Sequence, residues 1–353
     1  MVKIHEKYIR RCIEISKKAL GTAAPNPMVG AVITYKDSII GEGYTSAYGG
    51  AHAEVNAIKS VKDKSLLPNS SIYVSLEPCS HFGKTPPCVD LIIKHQIKKV
   101  FIGIMDPNNK VSGRGIKKLK EAGCEVTFGI LEKECRFHLR RFLSHHEKKR
   151  PYIILKWAQT KDSFLAPSKE MREGDPSPYW ISNTLSRQRV HKWRTEEQAI
   201  LAGTNTVLQD NPGLNVRDWY GNSPSRIIID KELKIPCSCK IFDTSIASTI
   251  ILTENSNKQS YFPEVDYELI DFKNNVPYEI CKVLFKKAIN SVLVEGGSFT
   301  LNSFLNANLW DEARVFTGPG IFQNGIKAPY IPIKKLMEKE RIGKDYLETY
   351  FND

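Results

Sequence analysis

The chain has 353 residues, of which 41% are hydrophobic and 25% charged, and its formal net charge is +12. This length suffices for two ordinary domains, and the composition is normal for a soluble globular protein. The N-terminal residues show no apolar signal region, and no stretch reaches the apolar length of a transmembrane helix, which argues against a secreted or membrane protein. A cytoplasmic location is therefore expected, with the eight cysteines serving as thiols or metal ligands rather than as disulfides.

The excess of positive charge has two interpretations, nucleic-acid binding and attraction of small anionic substrates. The chain has no low-complexity basic arm, and its arginines do not alternate with aromatic residues. Many of its lysines, such as Lys117 and Lys118, lie on predicted helix surfaces. These features favour a small phosphorylated substrate and disfavour nucleic acid as a partner.

The first half of the chain alternates helices and strands up to a charged cluster before Pro151, which predicts a domain boundary there. The expected first domain is therefore 1–147. Its predicted helices cover 4–20, 52–61, 87–95, 113–122 and 131–147. Its predicted strands cover 28–34, 38–44, 71–76, 99–104 and 125–128, of which the first two form a hairpin.

The second half, expected as a domain at 151–353, continues in the same α/β manner with a mainly parallel sheet and without internal repeats. Its predicted strands cover 152–157, 199–203, 226–230, 249–252, 291–295 and 314–317. Its predicted helices cover 184–194, 278–288 and a segment after Gly296–Gly297. Residues 161–180 and 254–276 are expected to be long loops or insertions.

Three residues of metal-binding type occupy the ends of predicted elements in the first half. His52 opens a helix, Cys79 follows a strand, and Cys88 lies in the first turn of the next helix. An imidazole and two thiolates make three zinc ligands and leave a fourth position for water. Glu54 is then free to move protons between that water and a departing amine. The set predicts a zinc hydrolytic deaminase, with His52 at a helix cap, because residues i and i+2 do not share a helix face.

The spacing of the two cysteines differs from the Cys-x-x-Cys that is usual in nucleic-acid deaminases. Eight residues separate Cys79 from Cys88, and the inserted His81 and Lys84 add a ring donor and a cation beside the predicted pocket. This insertion suits a small phosphorylated substrate better than a polynucleotide. The other cysteines are interpreted as ordinary core or surface residues.

The first half of the chain resembles the bifunctional deaminase/reductase family of riboflavin biosynthesis. The matching motifs are PNPMVGAV at 25–32, HAE at 52–54, EPCSHFGKTPPC at 77–88, and DP at 106–107 with GRG at 113–115. The resemblance implies a cytidine-deaminase-like three-layer domain in which Asn26, His81 and Lys84 lie at the substrate. Thr45 stands where the family usually has His in Gly-x-His, so one pyrimidine or ribose contact is expected to differ. Thr45→His is then expected to be tolerated or to improve affinity.

The second half resembles the reductase domain of the same family over nearly its whole length. The matching residues are LKWA at 155–158 with Asp162, WIS at 180–182, Arg194, AILAG at 199–203, TV at 206–207, DNP at 210–212, Leu214, Arg217 and VEGGS at 294–298. The resemblance implies a fold like that of dihydrofolate reductase and a preference for NADPH. Departures are Ser163 for the usual Gly, Asn215 for Thr and Lys231 for Ser. Lys231 is also a candidate cation on the ribose side of the cofactor.

The resemblance divides the candidate reductase residues into two groups. The substrate-binding group comprises Lys156, Arg194, Leu214, Arg217 and Glu295. The cofactor-binding group comprises Ala158, Trp180, Thr206, Asp210, Gly296, Gly297 and Ser298.

Physical chemistry supports parts of this assignment. A glycine pair after a strand, with Ser298 as the N-cap of the next helix, would present free amides and a helix dipole to a dinucleotide phosphate. Arg194 and Arg217 can clamp a phosphate bidentately, although either could equally be a surface ion-pair residue. Asp210 begins an Asp-Asn-Pro segment that could be only a turn. No Gly-x-Gly-x-x-Gly motif is found, which disfavours a Rossmann dehydrogenase.

The sequence as a whole predicts a zinc-dependent pyrimidine deaminase followed by an NADPH-dependent reductase, acting in riboflavin biosynthesis and assembled as a homo-oligomer, dimer or tetramer. The hypothesised substrate is a small phosphorylated pyrimidine, and neither nucleic acid nor membrane is an expected partner. Two alternatives stay open. One is a deaminase whose second domain binds nucleotide without catalysis, and the other is a nucleic-acid base deaminase.

Overall fold

The computed structural model describes residues 2–82, 86–107, 112–168, 179–256, 262–332 and 336–352. The chain forms two compact units, Met1–Lys149 and Arg150–Asp353, and each has its own sheet and hydrophobic core. In the described part of the chain, every helix is too short or too polar to span a bilayer.

The first unit is a mixed sheet with helices on both faces. Its strands are β1 (Gly30–Tyr35), β2 (Ser38–Tyr44), β3 (Ser71–Leu76), β4 (Lys99–Ile104) and β5 (Glu125–Phe128), in the order β2-β1-β3-β4-β5. Its helices are α1 (Val2–Ser16), α2 (Ala53–Ser60), α3 (Cys88–Lys94), α4 (Arg114–Glu121), α5 (Glu132–His138) and α6 (Arg140–Lys148). Only β1 runs against the other strands, which are parallel to one another.

Small residues on β1 and β2 let two helices approach the sheet from opposite faces. A Cβ added to Gly30 would lie 2.0 Å from the carbonyl oxygen of Cys12 in α1, and one added to Gly43 would lie 2.2 Å from the backbone nitrogen of Ala57 in α2. Because neighbouring residues of a strand point to opposite faces, these contacts put α1 and α2 in different layers. Strand β3 is buried on both faces, which explains its run of apolar residues at 72–74.

The strand directions bring several loops of the first unit to one edge of the sheet. The C-terminal ends of β2, β3 and β4 and the N-terminal end of β1 all lie at this edge. The N–H of Gly30 donates to Oγ of Ser75 at 3.1 Å, which ties the start of β1 to the end of β3. His52, Cys79 and the segment containing Asn26 therefore belong to one loop cluster.

The second unit is built on one large sheet. Its strands are β6 (Tyr152–Gln159), β7 (Phe164–Pro167), β8 (Ala199–Gly203), β9 (Ser225–Ile229), β10 (Thr249–Thr253), β11 (Asp266–Leu269), β12 (Ser291–Val294), β13 (Glu312–Thr317), β14 (Gly325–Lys327), β15 (Leu336–Ile342) and β16 (Asp345–Phe351). Its α-helices are α7 (Thr184–Glu196), α8 (Thr204–Asp210), α9 (Val276–Lys286) and α10 (Ser298–Asn306). The sheet order is β11-β10-β9-β8-β12-β6-β13-β16-β15, while β7 pairs with β14 separately.

The large sheet is parallel from β11 to β13, and β16 and β15 extend it with an antiparallel hairpin. The prediction of a mainly parallel sheet is therefore confirmed. Asn183 is the N-cap of α7, and its side chain accepts from the backbone N–H of Ser186. Its residues Val190 and Trp193 pack on Ile154, Leu293 and Phe316 of the sheet. 

The structure corrects three predicted segments. The single helix predicted at 131–147 is two helices, α5 and α6, separated at Leu139, where ψ is 11°. The apolar periodicity runs through the break because both helices bury side chains in the same core. The loop predicted at 161–180 contains β7, and the loop predicted at 254–276 contains β11, a short edge strand. Residues 169–178 and 257–261 of these segments lie outside the described residues.

Candidate active sites

The three candidate zinc ligands come from three separate segments of the first unit. His52 is the N-cap of α2, as predicted, with an extended backbone at φ −73° and ψ 165°. Cys79 follows β3, and Cys88 is the first residue of α3. The backbone N–H of Cys88 donates to Sγ of Cys79 at 3.3 Å, so the start of α3 also positions the other thiol.

The ligand atoms of these three residues fit one zinc ion. They all lie within 4.8 Å of one another, and Nδ1 of His52 is 3.6 Å from Sγ of Cys79 and 3.4 Å from Sγ of Cys88. Zinc bond lengths of about 2.0 Å to nitrogen and about 2.3 Å to sulfur put tetrahedral ligands about 3.5 Å apart. The two thiols share a hydrogen bond that lowers the pKa of Cys79 and raises the pKa of Cys88. A bound zinc ion would favour the thiolate form of both.

Glu54 lies in the first turn of α2, two residues after His52, and its side chain is buried. It lies within hydrogen-bonding reach of Cys88, yet it is not part of the ligand cluster. Burial raises the pKa of Glu54 to about 7, and the charge on Cys79 acts in the same direction. A buried carboxyl group beside a three-ligand metal site can hold and release a proton during hydrolysis.

Glu77 has a role that sequence reasoning did not assign. Its buried carboxylate ties the loop after β3 to the loop after β4 and to the start of α4. A Cβ added to Gly115 would lie 2.4 Å from the carbonyl oxygen of Pro78, so α4 packs directly on the zinc loop. The sequence feature that could have indicated this role is the joint presence of the motifs EPC at 77–79 and GRG at 113–115. Glu77 accepts from the backbone N–H groups of Asp106, Gly113, Gly115 and Ile116 at 2.9–3.2 Å.

The structure describes two of the three candidate substrate contacts of the deaminase. Asn26 is half-buried in the segment before β1, and His81 is exposed in the loop after Cys79. Lys84 lies outside the described residues. Thr45 is buried, and its Oγ1 accepts from the N–H of Val29 at 3.0 Å. Its hydroxyl group is therefore already hydrogen-bonded inside the protein, and a substitution at position 45 would break this bond.

In the second unit, three of the predicted residues form one buried charge cluster. Glu295 follows β12 next to Lys156 of β6, and Nζ of Lys156 is 3.6 Å from Oε2 of Glu295. Arg194, from the last turn of α7, donates to both carboxylate oxygens of Glu295 at 2.8 Å. Burial alone would raise the pKa of Glu295, but Arg194 and Lys156 outweigh it and lower that pKa to about 2. Burial lowers the pKa of Lys156.

The expected phosphate clamp of Arg194 and Arg217 stays a prediction, and the two arginines have different surroundings. The fork of Arg194 is occupied by Glu295, and its Nη1 donates to the carbonyl oxygen of Asn215 at 2.8 Å. Arg217 is exposed, which leaves it as the available cation of the predicted pair, with Nη1 donating to Oδ1 of Asn215. The Leu214 side chain is buried in the core, so only its backbone can meet a substrate. His191, missed from the sequence, lies three residues before Arg194 and accepts from the N–H of Arg217 at 3.1 Å.

The glycine turn after β12 lies beside α8. Gly296 has φ 123°, a conformation that favours glycine, and a Cβ added to Gly297 would lie 3.1 Å from Oγ1 of Thr206. Asp210 is one turn further along the same helix face as Thr206. The expected N-cap is wrong, because Gly297 takes that position and Ser298 is the first residue of α10. The hydroxyl group of Ser298 donates to the carbonyl oxygen of Lys327.

One of the remaining candidates lies on β6, and the other two follow it in the sequence. Ala158 is half-buried on β6. Trp180 is exposed, with the guanidinium of Arg187 centred 4.3 Å from its ring centroid. Lys231 forms an ion pair with Glu254 at 3.3 Å, so its charge is already matched and gives no support to a role beside the cofactor.

Family models match both units of the chain. The model described as the cytidine and deoxycytidylate deaminase zinc-binding region matches residues 2–104, and the RibD C-terminal domain matches residues 151–332. The riboflavin biosynthesis protein RibD of Aquifex aeolicus is 38% identical over 99% of this chain and 97% of its own length. The chain belongs to the RibD family. The RibD of Actinobacillus pleuropneumoniae is 37% identical over 97% of this chain and 94% of its own length.

Solved RibD structures have the same fold over the whole chain. One is a diaminohydroxyphosphoribosylaminopyrimidine deaminase/5-amino-6-(5-phosphoribosylamino)uracil reductase from Thermotoga maritima. It is 37% identical, with a TM-score of 0.89 over 100% of this chain and 99% of its own. Acinetobacter baumannii RibD gives a TM-score of 0.89 at 29% identity, with both chains fully covered. These likenesses confirm the predicted fold class, a cytidine-deaminase-like domain followed by a reductase domain, and the predicted family.

Proposed function

We propose that this chain acts twice on one small molecule in riboflavin biosynthesis. The first reaction is the zinc-dependent hydrolytic deamination of 2,5-diamino-6-ribosylamino-4(3H)-pyrimidinone 5′-phosphate. The second is the NADPH-dependent reduction of the ribosyl group to give 5-amino-6-(5-phosphoribitylamino)uracil. The observation that carries the proposal is the convergence of His52, Cys79 and Cys88 beside the buried Glu54.

In the deaminase site, His52, Cys79 and Cys88 would hold zinc, which when bound lowers the pKa of a water molecule and so provides the nucleophile. Glu54 takes the proton of that water at its carboxylate and later delivers it to the leaving amino group. Asn26, His81 and Lys84 are the proposed substrate contacts. Glu77 holds the loop that carries Cys79.

In the reductase site, NADPH supplies the hydride, and the protein supplies orientation and charge. The free amides of the Gly296–Gly297 turn and the start of α10 are the proposed phosphate contacts, supported by the closeness of Thr206 to Gly297. Ala158, Trp180 and Asp210 complete the proposed cofactor contacts. 

The substrate contacts of the reductase are assigned from the charge cluster. Lys156 would hold the transferable proton at Nζ, because its pKa is lowered by burial and Glu295 keeps the amine in place. Arg217 would bind the substrate phosphate as an exposed cation, and the backbone of Leu214 would meet the sugar. Arg194 would act through Glu295, which it holds with two hydrogen bonds.

We further propose a cytoplasmic homo-oligomer, dimer or tetramer. None of the eight cysteines forms a disulfide, which suits a reducing compartment. Large apolar side chains such as Phe299 and Tyr330 are more than four-fifths exposed, which favours burial against another copy. Light scattering after gel filtration tests the oligomeric state, and a monomeric mass would contradict it.

A coupled assay tests the two activities in the zinc-loaded protein. Ammonia should be released from the diaminopyrimidine without NADPH, and NADPH oxidation should begin only after that release. Cys79→Ser or Cys88→Ser should lose zinc and deamination together. Deamination by the metal-free wild-type protein would contradict the zinc-dependent mechanism. Deamination of oligonucleotides in preference to the pyrimidine would contradict the proposed substrate. NADPH binding without turnover would reduce the second unit to a nucleotide-binding module.

Glu54→Gln isolates the proton transfer. This variant should keep zinc, and its deamination rate should fall by about 10²–10⁴-fold because the base is lost. Reduction of the already deaminated compound should persist. Glu121→Gln, at an exposed position of α4, serves as the matched control and should leave both rates unchanged.

A further inference from the structure

The C-terminal hairpin of β15 and β16 holds the helix that links two parts of the proposed reductase site. The hairpin lies beyond residue 332, where the match to the RibD C-terminal domain ends, and none of the sequence motifs includes it. Its turn, at residues 342–345, meets the N-terminus of α7. Asp345 is the polar residue at the centre of this contact.

Asp345 is 1% exposed, and its carboxylate lies at the first turn of α7. Its Oδ2 accepts from the backbone N–H of Asn183 at 2.8 Å and from the hydroxyl group of Ser186 at 2.6 Å. The side-chain amide of Asn183 donates back to the carbonyl oxygen of Ile342 at 2.7 Å. A carboxylate at a helix N-terminus is also favoured by the helix dipole. The contact therefore fixes where α7 begins.

Two further contacts bring the hairpin close to α7. Gly343 has φ 61°, and a Cβ added to it would lie 3.2 Å from Nδ2 of Asn183, so the turn packs directly on the helix cap. Arg189 donates to both carboxylate oxygens of Glu340 at 3.2 Å. That pair is partly exposed and adds little stability by itself. The buried Asp345 contact dominates.

Helix α7 contacts residues of both proposed ligand sites. Near its start, Arg187 stacks on Trp180, a proposed cofactor residue. In its last two turns it provides His191 and Arg194, and Arg194 is held separately by Glu295. With 13 residues, the helix is about 20 Å long, so its two ends are fixed by different partners. Loosening the first turn should disturb the Trp180 end more than the Arg194 end.

We propose that Asp345 is a positioning residue for cofactor binding: it fixes the first turn of α7, and through it the segment of Trp180, without touching either ligand. This inference rests on the proposed reductase function. The variant Asp345→Ala removes the acceptor of two hydrogen bonds, while Lys344→Ala changes an exposed residue of the same turn and is the matched control.

The test uses the full-length, zinc-loaded enzyme. Asp345→Ala should raise the KM for NADPH about ten-fold, the size expected for losing hydrogen bonds to a charged group. The KM for the deaminated pyrimidine and the deamination rate should stay within about two-fold of the wild type, because Glu295 still holds Arg194. Amides of the first turn of α7 should exchange with deuterium faster than in Lys344→Ala.

Two milder variants keep the test decisive if Asp345→Ala does not fold. Asp345→Asn keeps an oxygen acceptor and should largely restore the KM for NADPH, whereas Ser186→Ala removes one donor and should give an intermediate value. An active Asp345→Ala protein whose KM for NADPH equals that of Lys344→Ala would overturn the positioning role alone. Equal increases of both reductase KM values would overturn it as well, since they indicate general destabilisation. A wild-type protein that neither binds nor oxidises NADPH would overturn the reductase function itself.

Discussion

Thr45 is a residue at which the structure leads to a different prediction from the one drawn from family resemblance. Its hydroxyl group bonds the backbone of Val29, just before β1, and the side chain is 4% exposed. Thr45→His should therefore reduce deamination, because the ring has no room and the bond to Val29 is lost. Thr45→Val should lower the free energy of unfolding by about 1 kcal/mol, and Thr45→Ser should not. Urea unfolding and ammonia release measure both effects; wild-type activity in Thr45→His would contradict them.

Ser163 departs from the glycine that is usual in the family, and its backbone explains the preference. Its φ is 65°, in the left-handed region that costs a non-glycine residue about 1 kcal/mol or more. Ser163→Gly should therefore raise the free energy of unfolding by about 0.5–1 kcal/mol. Ser163→Ala is the control and should give no gain. A Ser163→Gly protein that unfolds at a lower urea concentration than the wild type would show that the hydroxyl group matters more than the backbone.

Glu295 should make the stability of the second unit depend on acid pH. Its folded pKa of about 2 is below the unfolded value of about 4.3, so its ion pairs stabilise the fold above that value and are lost as the pH falls towards 2. Glu295→Gln should destabilise the protein at pH 7, since Lys156 and Arg194 lose their counter-charge. The difference from wild type should shrink below about pH 4.3. Glu254→Gln, which breaks an exposed pair, is the control.

At the scale of elements, Gly43 decides how closely α2 approaches the sheet. A side chain there would push on Ala57 and move the helix that begins at His52 and carries Glu54. Gly43→Ala should lower stability by about 1–3 kcal/mol, as overpacking does, and should also weaken zinc binding. Zinc titration and thermal unfolding measure the two effects. Gly320→Ala, where an added Cβ would make only an ordinary contact of 4.0 Å with Cγ2 of Thr160, should change neither.

At the scale of the whole molecule, the division after Lys149 predicts two separable stabilities. Each unit has its own core, and the candidate zinc ligands all belong to the first. Removing zinc with a chelator should therefore lower the unfolding temperature of one calorimetric transition and leave the other unchanged. NADPH should raise only the second transition. One transition that responds to both ligands would show that the units unfold together.

Local patterns were enough to predict most of the elements and the zinc set. Strands β3, β4, β5 and β8 lie at the predicted residues, because short apolar runs bounded by turns have few alternatives. His52 was predicted as a cap from the two-residue spacing to Glu54, and the structure confirms it. These features depend on neighbours in the sequence, which is why the sequence alone determined them.

Other features depend on partners far along the chain, and only the tertiary structure decided them. The edge strand β11 and the pair of β7 with β14 have weak local patterns and exist because another strand completes their hydrogen bonds. Arg194 has the residue type of a phosphate ligand, but Glu295, which lies 101 residues away, occupies its fork. Glu77 accepts from backbone N–H groups up to 39 residues away, and Asp345 accepts from the backbone N–H of Asn183, the N-cap of α7. A buried polar group is assigned by the partners that fold around it, and those partners are not adjacent in the sequence.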